Sequence, residues 1–175
     1  MSFDRFIASL QSTVLVEVAG HWNMARGART MPAWRDIDAT AISRHLSIVW
    51  AWRHDAALGT FIGRLAGQTI IEAIGNQIRG RRIEECFPSE AMPVIRERFD
   101  RVVNGPRLMR SAGPVYRASG RHGTGERISM PLADDGIRSD GIFGATVYAI
   151  GDAGQDNRVV RDVASEEVEF FAFAP

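Results

Sequence analysis

The chain contains no lysine. All 21 of its basic residues are arginine, and that absence excludes several chemistries. No side chain can form a Schiff base with pyridoxal phosphate or retinal, act as the lysine of a phosphate-binding loop, or carry biotin or lipoate. Cysteine is almost as scarce. One residue, Cys86, cannot close an internal disulfide, which matches a reducing compartment. Net charge is absent as well, because 21 acidic residues balance the 21 arginines. Association with duplex nucleic acid is driven by positive charge meeting phosphate, so no nucleic-acid partner is expected. Long apolar runs are missing too. The longest near the N-terminus, Val14 to Val18, is interrupted by Glu17 and falls far short of the roughly 20 residues of a membrane span. No signal peptide and no membrane partner are expected, and the expected location is cytoplasmic.

What remains suits one soluble α+β domain. Of 175 residues, 45% are hydrophobic and 24% charged, enough for a core of ordinary size. Phe3, Phe6, Ile7, Leu10, Val14, Val18 and Trp22 recur at three- and four-residue intervals. That spacing predicts an amphipathic helix, in one or two pieces, ending near Gly27. Leu46 to Arg53 reads as a strand, with Leu46, Ile48, Trp50 and Trp52 on one face. A turn at His54–Gly59 and a second strand, Thr60 to Ala66, complete a hairpin. A short helix between Gly67 and Gly75 follows. Ile95, Phe99, Val102 and Val103 then mark one face of a longer helix, which Asn104-Gly105-Pro106 ends. Three further strands are predicted near residues 107–117, 125–132 and 142–150. Helix, two strands, helices and three strands, in that order, indicate an antiparallel sheet.

Several stretches carry a resemblance. They are His21-Trp22 ahead of Met31-Pro32 and Asp36-Ile37-Asp38, then Arg64-Leu65-Ala66-Gly67, Gly75, Gly80-Arg81-Arg82-Ile83, Phe87-Pro88, and the turn from Pro131 to Gly136. Together with the element order they resemble a bacterial PAS-like family of largely unassigned function, over about Glu17 to Tyr148. The resemblance implies a five-stranded antiparallel sheet with a helical connector. It divides the chain into an N-terminal helix (1–30), a PAS-like core (31–150) and a C-terminal extension (151–175). It also implies a sensory module, commonly a homodimer, that uses the helix ahead of the sheet as its dimer surface. Phe3, Phe6, Leu10, Val14 and Val18 are the residues expected there.

Candidate site residues follow from this frame. Trp50, Trp52, Phe61, Phe99, Met130 and Tyr148 are expected to line a small-molecule cavity, though the same side chains would equally fill a core. Arg64, in mid-strand, is either an exposed or structurally paired cation, with Glu72 as its nearest candidate, or an anchor for an anionic ligand. Arg79, Arg81 and Arg82 could grip a phosphate but have Glu84 and Glu85 beside them. Cys86 lies three residues beyond the place a flavin-adduct cysteine would take, before Phe87-Pro88, where a thiol is expected to be inert. His21, His45, His54 and His122 lack metal-ligand spacing. No catalytic residue, metal or cofactor is expected. The function expected is that of a regulatory sensor, signalling through contacts made by a small ligand or a protein partner. The alternative is a ligand-free interaction adaptor, with an enzyme the least supported reading. Phe170, Phe171 and Phe173 should dock on their own domain or on a second subunit.

Overall fold

Ser12 divides the N-terminal helical stretch, because its hydroxyl accepts a hydrogen bond from the Leu15 amide at 3.4 Å and caps a new helix. The computed structural model describes residues 2–115, 123–149 and 166–173. It begins with α1 (Ser2–Ser9) and α2 (Thr13–Arg26). Then come the hairpin β1 (Val49–Asp55) and β2 (Thr60–Ala66), α3 (Gln68–Ile74), a connector with one helical turn at Ile83–Glu85, and α4 (Met92–Val103). β3 (Arg107–Val115), β4 (Gly123–Leu132), β5 (Gly141–Ala149) and β6 (Glu167–Ala172) complete the described chain. α3 ends at Gly75, where a φ of 78° places the backbone in the left-handed region that glycine adopts most cheaply.

The strands form one sheet in the order β2-β1-β5-β4-β3-β6, every pair antiparallel. Among the described residues it has six strands where five were expected. The extra strand comes from the segment read as a C-terminal extension. β6 pairs with β3 from Arg107↔Ala172 to Ala112↔Glu167, satisfying an edge that would otherwise carry unpaired backbone groups. Its Phe171 is buried in the core beneath α1, in edge contact with Phe6 at 5.5 Å. The aromatic tail therefore docks on its own domain.

The first strand also starts later than expected. Ser43–Ile48 forms a short 3-10 helix, so the period of two holds only from Val49 onward. Leu46 is consequently exposed, and Ile48 packs with the layer opposite to Trp50 and Trp52.

Each face of the sheet carries a core. On one face, Val49, Ala51, Ile128, Met130 and Phe143 pack against Phe6, Leu15, Val18 and Trp22 of α1 and α2. The Trp22 indole N–H donates to the Pro131 carbonyl at 2.9 Å, fixing α2 to β4. On the other face, Trp50, Trp52, Phe61, Met109 and Ile142 pack against α3, the connector and α4. The residues expected to pair two subunits are thus largely used inside one chain. Phe6 and Val18 are fully buried there, Phe3 and Leu10 pack on the same core, and Val14 is half-buried. The amphipathic face finds its apolar partner in the second face of the sheet.

A buried ion pair ties these layers together. Arg110 Nε donates to Glu126 Oε1 at 2.7 Å, and Arg110 also reaches Glu169 on β6 at 3.1 Å. The Glu126 carboxylate accepts the Gln11 and Ser12 amides at 3.0 and 2.8 Å, where α1 gives way to α2. Among the described residues, no helix is long and apolar enough to cross a membrane.

Candidate functional site

Trp50 and Trp52 lie on the face of β1 turned away from α1 and α2. In register with Trp50 on β5 stands Gly144. A Cβ there would come within 2.3 Å of the Trp50 ring, so glycine is what allows the indole to cover β5 at this point. The Trp50 indole N–H donates to the Thr146 hydroxyl oxygen at 3.0 Å. Arg127 Nε, on the neighbouring β4, donates to the same oxygen at 3.3 Å. From the helical side, Phe99 stacks on Trp50, meets the edge of Phe61 at 5.2 Å, and approaches Trp52 at 6.4 Å.

These rings enclose one side of a cavity of about 120 Å³ between the sheet, α3 and the connector. Ile70, Ala73, Ile95 and Phe87 provide most of the remaining apolar wall. Polar groups gather at one end, where Arg127, Thr146 and Glu166 line it. Glu166 is almost wholly buried, 2.5 Å from Arg98 of α4 and 3.7 Å from Arg127. The volume decides what fits. A dry cavity of about 150 Å³ holds one benzene ring, so this space suits a molecule of one small ring, while a flavin or a haem would have to push the walls apart. Cys86 forms part of the wall, and burial pushes its thiol up from the ordinary range. It is a wall group and a poor nucleophile at neutral pH.

Of the residues expected to line a cavity, Trp50, Trp52, Phe99 and Tyr148 do so. Phe61 stands one layer behind, in edge contact with Phe99. Met130 does not belong to the site. Ile128, Met130 and Leu132 point to the core under α1 and α2, which leaves the cavity face of β4 to Arg127 and Ser129. Arg64 is also misplaced as a ligand anchor. β1 pairs Ala51 with Leu65 and Trp52 with Gly63, so Arg64 is the extra residue of a β-bulge and is exposed. Its suggested partner Glu72 instead accepts a hydrogen bond from Gln68 at 2.9 Å. Arg79, Arg81 and Arg82 are exposed, and His122 lies outside the described residues. Among the described residues no cluster of three or more His, Cys, Asp or Glu could hold a metal ion.

Sequence reasoning missed the polar end. Arg127 and Thr146 sit directly opposite each other on β4 and β5, and the alternation along β4 is the signal that could have found Arg127. Glu166 had no local signal, since it lies in a short acidic run ahead of the aromatic tail.

The family model that describes a PAS domain matches residues 10–147. This chain belongs to the PAS domain family. The chain is also similar to solved structures. A Vibrio cholera VqmA–ligand–DNA complex is 13% identical, with 62% of this chain and 49% of that one covered and a TM-score of 0.46. A Rhodobacter sphaeroides LOV protein is 14% identical, with 63% of each chain covered and a TM-score of 0.46. An RNA-binding light-oxygen-voltage receptor is 14% identical, with 70% of this chain and 35% of that one covered and a TM-score of 0.44. The chain thus spans about half the length of the first and under two thirds of the second. None of the curated proteins matches it. One expectation is corrected here. Nucleic acid is not excluded as a partner: the solved structures similar to this chain include one complexed with DNA and one of an RNA-binding receptor.

Proposed function

We propose that this PAS domain is a sensory module that takes up a small molecule in the cavity between Trp50, Phe99 and the helical connector. The observation that carries the reading is the cavity itself. It is aromatic-walled, sized for one ring, and lined on its polar side by Arg127, Thr146 and Glu166, the arrangement of a ligand site rather than of a filled core. Occupancy would be transmitted as a shift between arrangements of the elements around it, and a molecule does this only by binding one arrangement better than another.

The test uses Ala73, buried on α3 with its side chain in the cavity wall. Wild type and Ala73→Phe are screened by thermal unfolding against a panel of single-ring metabolites. The expected result is that some compounds raise the wild-type Tm in a concentration-dependent way, while Ala73→Phe, folded by circular dichroism, responds to none. If no compound shifts the wild type and Ala73→Phe is as stable or more so, the domain is an interaction adaptor with a space it does not use.

A further inference from the structure

Glu166 occupies an unusual place for the last residue before an edge strand. Its carboxylate is 3% exposed and turned into the polar end of the cavity, against Arg98 and Arg127. The neighbouring strand is shaped to let it in. Gly113 of β3 has a φ of 146°, and a Cβ there would come within 3.1 Å of the Glu166 backbone. Two residues earlier on the same strand, the buried Ser111 hydroxyl has no hydrogen-bond partner and stands opposite Arg127.

We propose that the ligand of this cavity is a ring-bearing carboxylate whose anionic group replaces Glu166 between Arg98 and Arg127, and that the exchange loosens β6. The inference rests on the cavity being a ligand site. An anion entering beside Glu166 would meet like charge. An anion that displaces it inherits guanidinium donors whose planar geometry matches a carboxylate. Glu166 is then a built-in competitor, and ligand affinity and β6 docking are linked in both directions.

β6 is the element through which this exchange would be felt elsewhere. Among the described residues it pairs only with β3. Beyond Glu166, Glu169 binds Arg110, the partner of Glu126, which in turn holds the Gln11 and Ser12 amides. Phe171 packs on Phe6, and Phe173 stacks on Trp22 at 5.8 Å. Loosening β6 therefore alters the contacts of α1 and α2 on the far face of the sheet.

The test compares benzoate, benzamide and benzamidine, which share one ring and differ in charge, in calorimetric titrations of wild type, Glu166→Gln, Arg127→Gln and Ala73→Phe. Wild type should prefer benzoate. Glu166→Gln should bind benzoate about tenfold more tightly, and Arg127→Gln should lose the preference. Hydrogen exchange of the Glu169 and Phe171 amides, which face β3, should accelerate on saturation with benzoate in wild type. It should be fast and insensitive to benzoate in Glu166→Gln. Equal affinity for benzoate and benzamide, a preference for benzamidine, weaker benzoate binding by Glu166→Gln, or unchanged β6 exchange would each overturn the proposal. If benzamide binds without a benzoate preference and Ala73→Phe abolishes that binding, the cavity reading survives and this one fails. If no probe binds any variant, both fail.

Discussion

Trp50 and Phe99 stack nearly parallel across the layer boundary, ring centroids 5.8 Å apart and planes 8° from coplanar. One ring belongs to the sheet and the other to α4, so the contact holds the helical layer at the distance that leaves the cavity open. Phe99 also meets Phe61 and Trp52. Phe99→Ala should therefore cost about 3–5 kcal/mol of folding stability. Urea denaturation measures it, and a loss within error of zero would mean that α4 is held by other contacts.

Thr146 gives the Trp50 indole its acceptor and also receives Arg127 Nε. Thr146→Val keeps the shape and removes the oxygen, leaving a buried indole N–H without a partner. A loss of about 1–3 kcal/mol is expected, whereas Thr146→Ser, which keeps the oxygen, should retain most of the stability. Equal effects of the two substitutions would show that the loss comes from packing.

Arg110 and Glu126 form a buried pair, at 3% and 9% side-chain exposure. Arg110→Met leaves the carboxylate buried opposite the α1–α2 junction without its guanidinium and should cost about 3–5 kcal/mol. Arg110→Met combined with Glu126→Gln should be less destabilised than the sum of the two single changes. Strict additivity in denaturant titrations would argue against the pairing.

His21 Nε2 accepts a hydrogen bond from the Asp38 amide at 3.1 Å, which requires that nitrogen to be unprotonated. Burial is the main cause that lowers its pKa below the ordinary 6.5, with Asp38 acting against it. Between the folded and unfolded values the unfolded chain binds more protons. The His21 contribution is therefore fully present above 6.5 and is lost as pH falls through the lower folded value. Stability should fall on going from pH 7 towards pH 5, and His21→Gln should flatten that part of the profile. An unchanged profile in the variant would contradict the assignment.

Cys86 reports on the cavity wall without further engineering, since it is the one cysteine of the chain. Burial raises its thiol pKa above 9.0, so the rate of alkylation by iodoacetamide should still be climbing at that pH. A ligand in the cavity should slow the reaction. A rate that levels off near pH 8, or one that ligand leaves unchanged, would place the thiol in a different environment.

Local patterns made much of this architecture legible. Alternation placed Trp50 and Trp52 on one face, and helical spacing found α1, α2 and the buried side of α4. Long-range pairing hid the rest. Arg64 reads as an ordinary strand position, and only the register against β1 shows it to be a bulge. Met130 alternates correctly, but which face of β4 meets the cavity depends on its neighbours in the sheet. Glu166 looks like one acid of a solvated run until β6 pairs with β3 and brings it to Arg98. The N-terminal apolar face was legible as a face, while its partner was not, because a second apolar face on the sheet leaves no trace in the sequence of the helices.

The four tryptophans permit a direct test of the cavity. Trp50 and Trp52 line it, whereas Trp22 and Trp34 pack on the opposite core. In a 1H–15N correlation spectrum titrated with single-ring compounds, the Trp50 and Trp52 indole signals should move while those of Trp22 and Trp34 stay in place. Perturbation confined to Trp22 and Trp34, or no movement of the Trp50 and Trp52 signals with any compound, would contradict the assignment of this cavity as the sensory site.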